Sequence, residues 1–240
     1  MSTTGANRPA SPADFRAWNE AMARKYNPAD YHERSHPLIR WIERQRVACL
    51  RRNLDLRAGE MVMEVGCGAG NVLEALPDIR PIGIDLSPWL ARQAQARLAG
   101  RSGLIVLAAA EALPFADGSL GRVVCSEVLE HVLSPEKAIA EITRVATADA
   151  VVVISVPNER FINQIKRLVT RLRLLTVFHR PAYRVPENME DEWHLHEFDL
   201  ARLRRAISGQ LEIRRVSPVV SRWLPFRFVI AGEPVRRATS

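Results

Sequence analysis

"VMEVGCGAGNVL", residues 62–73, sets three glycines directly behind a short apolar run. Gly66, Gly68 and Gly70 give the spacing G-x-G-x-G. Glycines so placed let a backbone turn sharply and approach a ligand, as at the first strand-to-helix turn of an open α/β sheet. The dinucleotide fingerprint G-x-G-x-x-G needs a glycine where Asn71 stands, and a phosphate-cradling P-loop needs a lysine followed by serine or threonine, which is missing. Glu64 stands at the mouth of the loop. A carboxylate there repels a pyrophosphate but suits a ligand with an ammonium or sulfonium group.

Outward from the loop, β-branched runs alternate with helical stretches. The runs are 61–65, 80–85, 104–109, 122–127 and 150–156, with helix-like segments at 70–77, 88–99 and 135–146. This rhythm predicts a parallel sheet with crossover helices on both faces. A helix in "FDLARLRRAI" and two more strands, "LEIRRVSPVV" and "FRFVIAG", bring the strands to seven. Ahead of the loop, residues 14–57 read as helical, with Leu38, Trp41, Ile42 and Val47 at roughly helical spacing. The division expected is a disordered lead over 1–13, a helical cap over 14–57, and one domain over 58–240.

Asp85, at the end of the second run in "IGIDLSP", lies nineteen residues beyond Gly66. An acid there can accept both hydroxyls of a ribose, each charge-assisted bond worth about 1.5–3 kcal/mol. A ribose with a cationic amino-acid tail and no phosphate describes S-adenosylmethionine (SAM). "MEVGCGAGN", "GIDLSP", "AEALPFADGS" and "CSEVLEHV" resemble, in order and spacing, the successive motifs of class I SAM-dependent methyltransferases. The resemblance implies a Rossmann-like α/β fold, with a seven-stranded, mostly parallel sheet, helices on both faces and the last strand antiparallel. It also implies that Glu64 faces the methionine amine, that Gly66, Cys67, Gly68 and Gly70 approach the cofactor with their backbone, and that Asp85 and Leu86 hold the ribose. Ala110, Glu111 and Ala112 would line the adenine, with Ser126 at the end of the fourth strand. Relatives often carry an aspartate where Ala109 stands, so the adenine amine needs Glu111 or a backbone carbonyl instead. Arg40, in "HPLIR", sits where some relatives place an arginine that forks onto the SAM carboxylate.

"EVLEHV" follows the fourth strand at its carboxyl end, where open α/β sheets bind ligands. A helical turn would put Glu127, Glu130 and His131 on one face, a set suited to a divalent metal. Ubiquinone-biosynthesis O-methyltransferases use a similar E-x-x-E-H as a metal site, and small-RNA 3′-end 2′-O-methyltransferases add a later histidine, for which "EWHLHEF" supplies His194 and His196. The same turn is common in methyltransferases not known to need metal. For a hydroxyl acceptor, His131, His194 and His196 are the candidate general bases.

The 240 residues, 47% hydrophobic, suffice for one sizeable domain. No apolar run reaches the 18 or so residues of a transmembrane helix, no signal pattern opens the chain, and Cys49, Cys67 and Cys125 form no disulfide framework, so a cytoplasmic location is the default. Residues 1–156 hold 18 basic and 18 acidic side chains, whereas 157–240 hold 16 and 9, so the net +7 arises in the second stretch. Of the 34 basic residues 31 are arginine, a bias that genome composition also produces. An insertion at about 158–196 carries a basic amphipathic segment, with Phe161, Ile165, Leu168, Val169, Leu172 and Leu175 on one stripe and Lys166, Arg167, Arg171 and Arg173 on the others. It reads either as peripheral membrane contact through 160–184 or as a stripe packed on the core. Nucleic acid is the lesser partner, because little aromatic residue interleaves the charge. The expectation is a SAM-dependent methyltransferase acting on a small-molecule or lipid-like acceptor, more at oxygen than elsewhere. The alternatives are an RNA 2′-O-methyltransferase and a SAM-binding or interaction module without catalysis.

Overall fold

The computed structural model describes residue 9 and residues 11–28, 35–171 and 192–235. Two helices open it, α1 (Pro12–Tyr26) and α2 (Pro37–Leu54), each with proline in its first turn. The alternation read in the sequence then follows: β1 (Met61–Val65), α3 (Asn71–Ala75), β2 (Arg80–Asp85), α4 (Pro88–Arg97), β3 (Leu104–Leu107), β4 (Leu120–Ser126), α5 (Pro135–Val145) and β5 (Ala146–Pro157). The chain ends in α6 (Glu159–Arg171), α7 (Leu200–Ile207), β6 (Leu211–Val220) and β7 (Pro225–Pro234). Ser87, Ser134 and Asp199 cap α4, α5 and α7 by accepting from backbone N–H groups of the first turn.

The seven strands form one sheet in the order β3-β2-β1-β4-β5-β7-β6. The first five are parallel, and β7 runs antiparallel between β5 and β6. Strand side chains alternate between faces. Met63, Val65, Val123, Cys125, Val152 and Ile154 pack with α5, α7 and Phe198 on one side. Val62, Val124 and Val153 meet α2, α3 and α4 on the other. By the same alternation Glu64, Ser126 and Ser155 project toward the α2 side. The register aligns Val65 with Ile84 and with Cys125, and Ser126 with Ser155, so the carboxyl ends of the central strands form one edge.

Helix forms within the expected stretch 14–57, and one local expectation, at residues 127–133, is corrected. The buried face of α2 carries Ile42, Glu43, Arg46, Cys49, Leu50, Asn53 and Leu54, while Leu38 and Trp41 are exposed. Residues 127–133 form turns rather than helix, and Glu127 has a left-handed φ of 56°. Of the basic insertion, α6 is present to Arg171. Residues 172–191, including Leu172, Arg173, Leu175 and the rest of the stretch to 184, lie outside the described residues, as do residues 1–8 of the expected lead.

Candidate cofactor and acceptor site

The glycine loop turns from β1 into α3 through three left-handed residues, with φ of 69°, 53° and 82° at Gly66, Gly68 and Gly70. A Cβ at Gly66 would overlap the Val128 side chain, and one at Gly70 would lie 3.2 Å from the Ala94 Cα. At Gly68 an added Cβ meets nothing within 4 Å. That backbone therefore presents an open surface toward the carboxyl edge. The Gly68 N–H donates to Asp85 at 2.8 Å, and the Ser87 N–H donates to the other carboxylate oxygen at 2.8 Å. Asp85 is thus fixed with both oxygens oriented, each retaining a lone pair for a diol. Burial lifts its pKa to about 6, against these backbone donors.

Glu64 is 2% exposed, and its Oε2 has no hydrogen-bond partner among the described residues. Burial pushes its carboxyl up to about 8; the nearby Arg46 pulls the other way. A buried carboxyl with an unpaired oxygen beside a glycine loop fits a ligand that brings its own cation. Leu86 is half-buried and Ala110 buried, while Ala112 is exposed. The Glu111 side chain is committed elsewhere, accepting from the Leu133 and Ser134 N–H groups at 3.0 and 3.2 Å. The Cys67 side chain is buried over Gly83, and its thiol is raised well above the ordinary value by burial, so it packs rather than reacts. Its backbone N–H donates to Ile84 at 2.8 Å.

Arg40 lies exposed on the outer face of α2, beside Arg44, Arg51 and Arg52 on an open cleft of about 620 Å³. The arginine that reaches the site is Arg46, 4% exposed. Its Nε donates to Glu43 at 2.9 Å and its Nη1 to the Ser126 hydroxyl. Ser126 joins Ser155 at 2.9 Å, and Ser155 donates to Glu127 at 2.9 Å. Arg227 closes the circuit, pairing with Glu127 at 2.7 Å and Glu43 at 2.5 Å. This closed ring binds α2, β4, β5 and β7 under the carboxyl edge. Arg46 and Arg227 escaped sequence reading because no motif marks them. The signal for Arg46 was its phase on the stripe that carries Cys49, Leu50 and Leu54.

The ring also commits both Glu127 oxygens, one to Ser155 and one to Arg227. His194 arrives from the segment before α7, and donor atoms of Glu130, His131 and His194 lie within 4.8 Å of one another. Glu130 is 1% exposed, with Oε2 unpartnered among the described residues, and burial together with the Glu127 charge raises its pKa. His194 Nδ1 lies 2.9 Å from the Glu159 carboxylate, and His131 Nδ1 lies 3.1 Å from the Trp193 carbonyl. The Trp193 carbonyl only accepts, so Nδ1 of His131 carries the proton and Nε2 is the basic nitrogen of that ring. His196 differs. Its Nε2 donates to the Val132 carbonyl at 2.9 Å and its Nδ1 accepts from Arg202 at 3.2 Å, so both nitrogens brace the fold. Over the glycine loop, Ala23 of α1 packs with Ala69 and Leu90, and Trp193 donates to Asn19 at 3.2 Å. The glycine loop is therefore covered on one side by α1 and the 192–194 turn.

Residues 63–154 match the methyltransferase domain family. An uncharacterised methyltransferase of Mycolicibacterium gilvum is 35% identical over 96 residues, which cover 39% of this chain and 38% of that protein. The chain spans about a third of the length of the first curated relatives it matches. Among solved structures, the Haloferax volcanii chain matched in a complex with the Trm112 methyltransferase activator superposes with a TM-score of 0.66, covering 94% of this chain and 98% of that one at 17% identity. A geranyl diphosphate methyltransferase solved with GPP and sinefungin gives a TM-score of 0.57 at 16% identity, covering 80% and 79%. At these identities the likeness shows a shared fold.

Proposed function

We propose, from the premise that this chain belongs to the class I SAM-dependent methyltransferases with SAM as cofactor, that it methylates a hydroxyl of a small-molecule or lipid-like acceptor. The observation that carries this reading is the cluster of Glu130, His131 and His194 on the carboxyl edge that also holds the glycine loop, Glu64 and Asp85. SAM, when bound, supplies a methyl group already activated by its sulfonium. Glu64 would neutralise the methionine amine, the backbone of Gly66 and Gly68 would line the tail, and Asp85 would accept from the ribose diol. His131, oriented by the Trp193 carbonyl, or His194 beside Glu159 takes the acceptor's hydroxyl proton as its oxygen is aligned for in-line attack. The roof of α1 and Trp193 limits water. A lipid-like acceptor is supported by α6, whose Phe161 and Ile165 are half-buried while Leu168 is exposed. A setting at a membrane surface through 160–184 belongs to the same reading. No helix among the described residues is long and apolar enough to cross a membrane.

A second reading places a divalent ion on Glu130, His131 and His194. Two donors at about 2.1 Å from one ion lie at most about 4.2 Å apart, so the 4.8 Å spread must tighten slightly on binding. Dialysis against a chelator, with metal analysis of the dialysed protein, separates the two: activity retained without metal leaves the histidines as bases.

The test of the main reading uses methyl-labelled SAM with a lipid extract and an aqueous extract of the host. Alkali-stable label in the organic phase is expected, since methyl ethers resist the hydrolysis that releases methyl esters. Label confined to RNA would favour the 2′-O-methyltransferase alternative, and bound SAH without any labelled product would favour a non-catalytic module.

A further inference from the structure

The hairpin joining β6 to β7 ends in Ser221-Arg222-Trp223-Leu224, where two large apolar side chains face outward. Trp223 is 77% exposed, more than any other large hydrophobic residue among those described, and Leu224 is 46% exposed. The exposure is built into the turn. Ser221 Oγ accepts from the N–H groups of Trp223 and Leu224 at 3.2 and 3.0 Å, fixing the tip. Val220 just before it has a φ of 79°, a left-handed conformation disfavoured for a β-branched residue, and the β6–β7 register shifts there. Backbone strain of this kind persists where the surrounding structure over-determines it, and here it re-aims the tip.

The tip lies at the cofactor edge. Pro157, at the carboxyl end of β5, pairs with Arg227, and Asn158 donates to the Pro225 carbonyl at 2.9 Å. Phe161 of α6 packs edge-on against Phe226 with ring centroids 5.2 Å apart. The tip and α6 therefore flank the same rim. Both are basic: residues 213–232 contain four arginines and no acid, and 160–171 contain four basic residues and no acid. Arg160, Arg167 and Arg171 are exposed on α6 with Leu168, and Arg222 lies 5.0 Å from the Trp223 ring.

We propose that the hairpin tip is an interfacial anchor, inserting Trp223 and Leu224 into the headgroup region of an anionic lipid surface while Arg222 and the α6 arginines meet lipid phosphates. This rests on the lipid-facing reading above and adds a second contact to it. Indole suits such an interface because its body is apolar and its N–H is polar. Arginines spread over two elements match an extended anionic plane, and such attraction is lost at high salt. The occupant is a membrane because the apolar residues sit on a convex tip rather than in a groove.

The experiment is flotation of the full chain with vesicles of phosphatidylglycerol and phosphatidylcholine in equal parts, and with phosphatidylcholine alone. It is run for the wild type and for Trp223→Ser/Leu224→Ser, with SAH affinity and melting temperature measured on the same samples. The wild type is expected to float with the anionic vesicles, weaken at high salt, and bind at least tenfold more tightly than the double variant, whose SAH affinity and melting temperature stay unchanged. Brominated lipids should quench tryptophan emission in the wild type more than in the variant. Wild-type protein left at the bottom of the gradient, or equal flotation of both proteins, would overturn the anchor. Loss of SAH binding by the wild type would instead count against the methyltransferase reading, whatever the vesicles show.

Discussion

At the scale of single residues, the site turns on charges held out of water. Arg46 and Arg40 lie on the same helix and differ in phase, and only Arg46 is buried among carboxylates. Arg46→Ala leaves Glu43 and Ser126 without one of their donors. It should lower stability by about 3 kcal/mol or more by denaturant melting, whereas Arg40→Ala should change it by no more than about 0.5 kcal/mol. Glu64 and Asp85 make a pH prediction. Their ordinary values are 4.5 and 3.8, and in the fold they rise to about 8 and about 6. A carboxyl whose folded pKa is raised favours folding while protonated, so this contribution is present at low pH and is lost as pH climbs through the folded values. The melting temperature of the protein without ligand should therefore fall between about pH 5 and about pH 8, at about 1.4 kcal/mol per unit for each group within its window. A cationic ligand reverses the demand, so the stabilisation given by added SAM should widen over the same range. Glu64→Gln should flatten both trends. The glycine spacing, Glu64 and Asp85 were legible because few residue types serve there. The inward turn of Arg46 and the capture of Glu127 by Arg227 were not, because each depends on a partner far along the chain; His194 was legible as a later histidine that could join the turn, and the structure brings it to Glu130 and His131.

At the scale of elements, strands and helices were readable because the apolar period switches between two and about 3.6 residues. The exception was "EVLEHV", where a left-handed Glu127 converts an expected helical turn into a loop and alters which side chains meet. Loop conformation there is set by tertiary hydrogen bonds, which no local pattern encodes. The glycine loop shows the same coupling from the other side. Gly66→Ala should abolish measurable SAH binding and lower the melting temperature, because the new Cβ overlaps Val128. Adding Val128→Ala should restore part of the melting temperature by removing that overlap, but not all, since the backbone φ of 69° still disfavours a side chain. Gly68→Ala meets no neighbour and should cost only about 1–2 kcal/mol in stability. Phe198, 1% exposed in the core next to α7, should lose about 3–5 kcal/mol on truncation to alanine, visible in the denaturation midpoint.

At the scale of the whole molecule, α1 lies against α4, the glycine loop and Trp193, so the first helix helps to enclose a site built by residues far downstream. Removing residues 1–27 should leave the sheet folded but weaken SAH binding by about tenfold or more in calorimetry, through loss of that enclosure. The ring of Glu43, Arg46, Ser126, Ser155, Glu127 and Arg227 has a different consequence, for the order in which the protein is made. Glu43 leaves the ribosome well before Arg227, while β7, which follows β6 in the chain, must enter between β5 and β6 before β6 can join the sheet. A nascent chain can therefore assemble β1 to β5 but cannot complete the ring that locks α2 beneath them until β7 emerges. Until then Glu43 keeps Arg46, three residues on in the same helix, but lacks Arg227. Translation thus acts as a timer: the ring that ties α2 to the sheet closes only once β7 has left the ribosome.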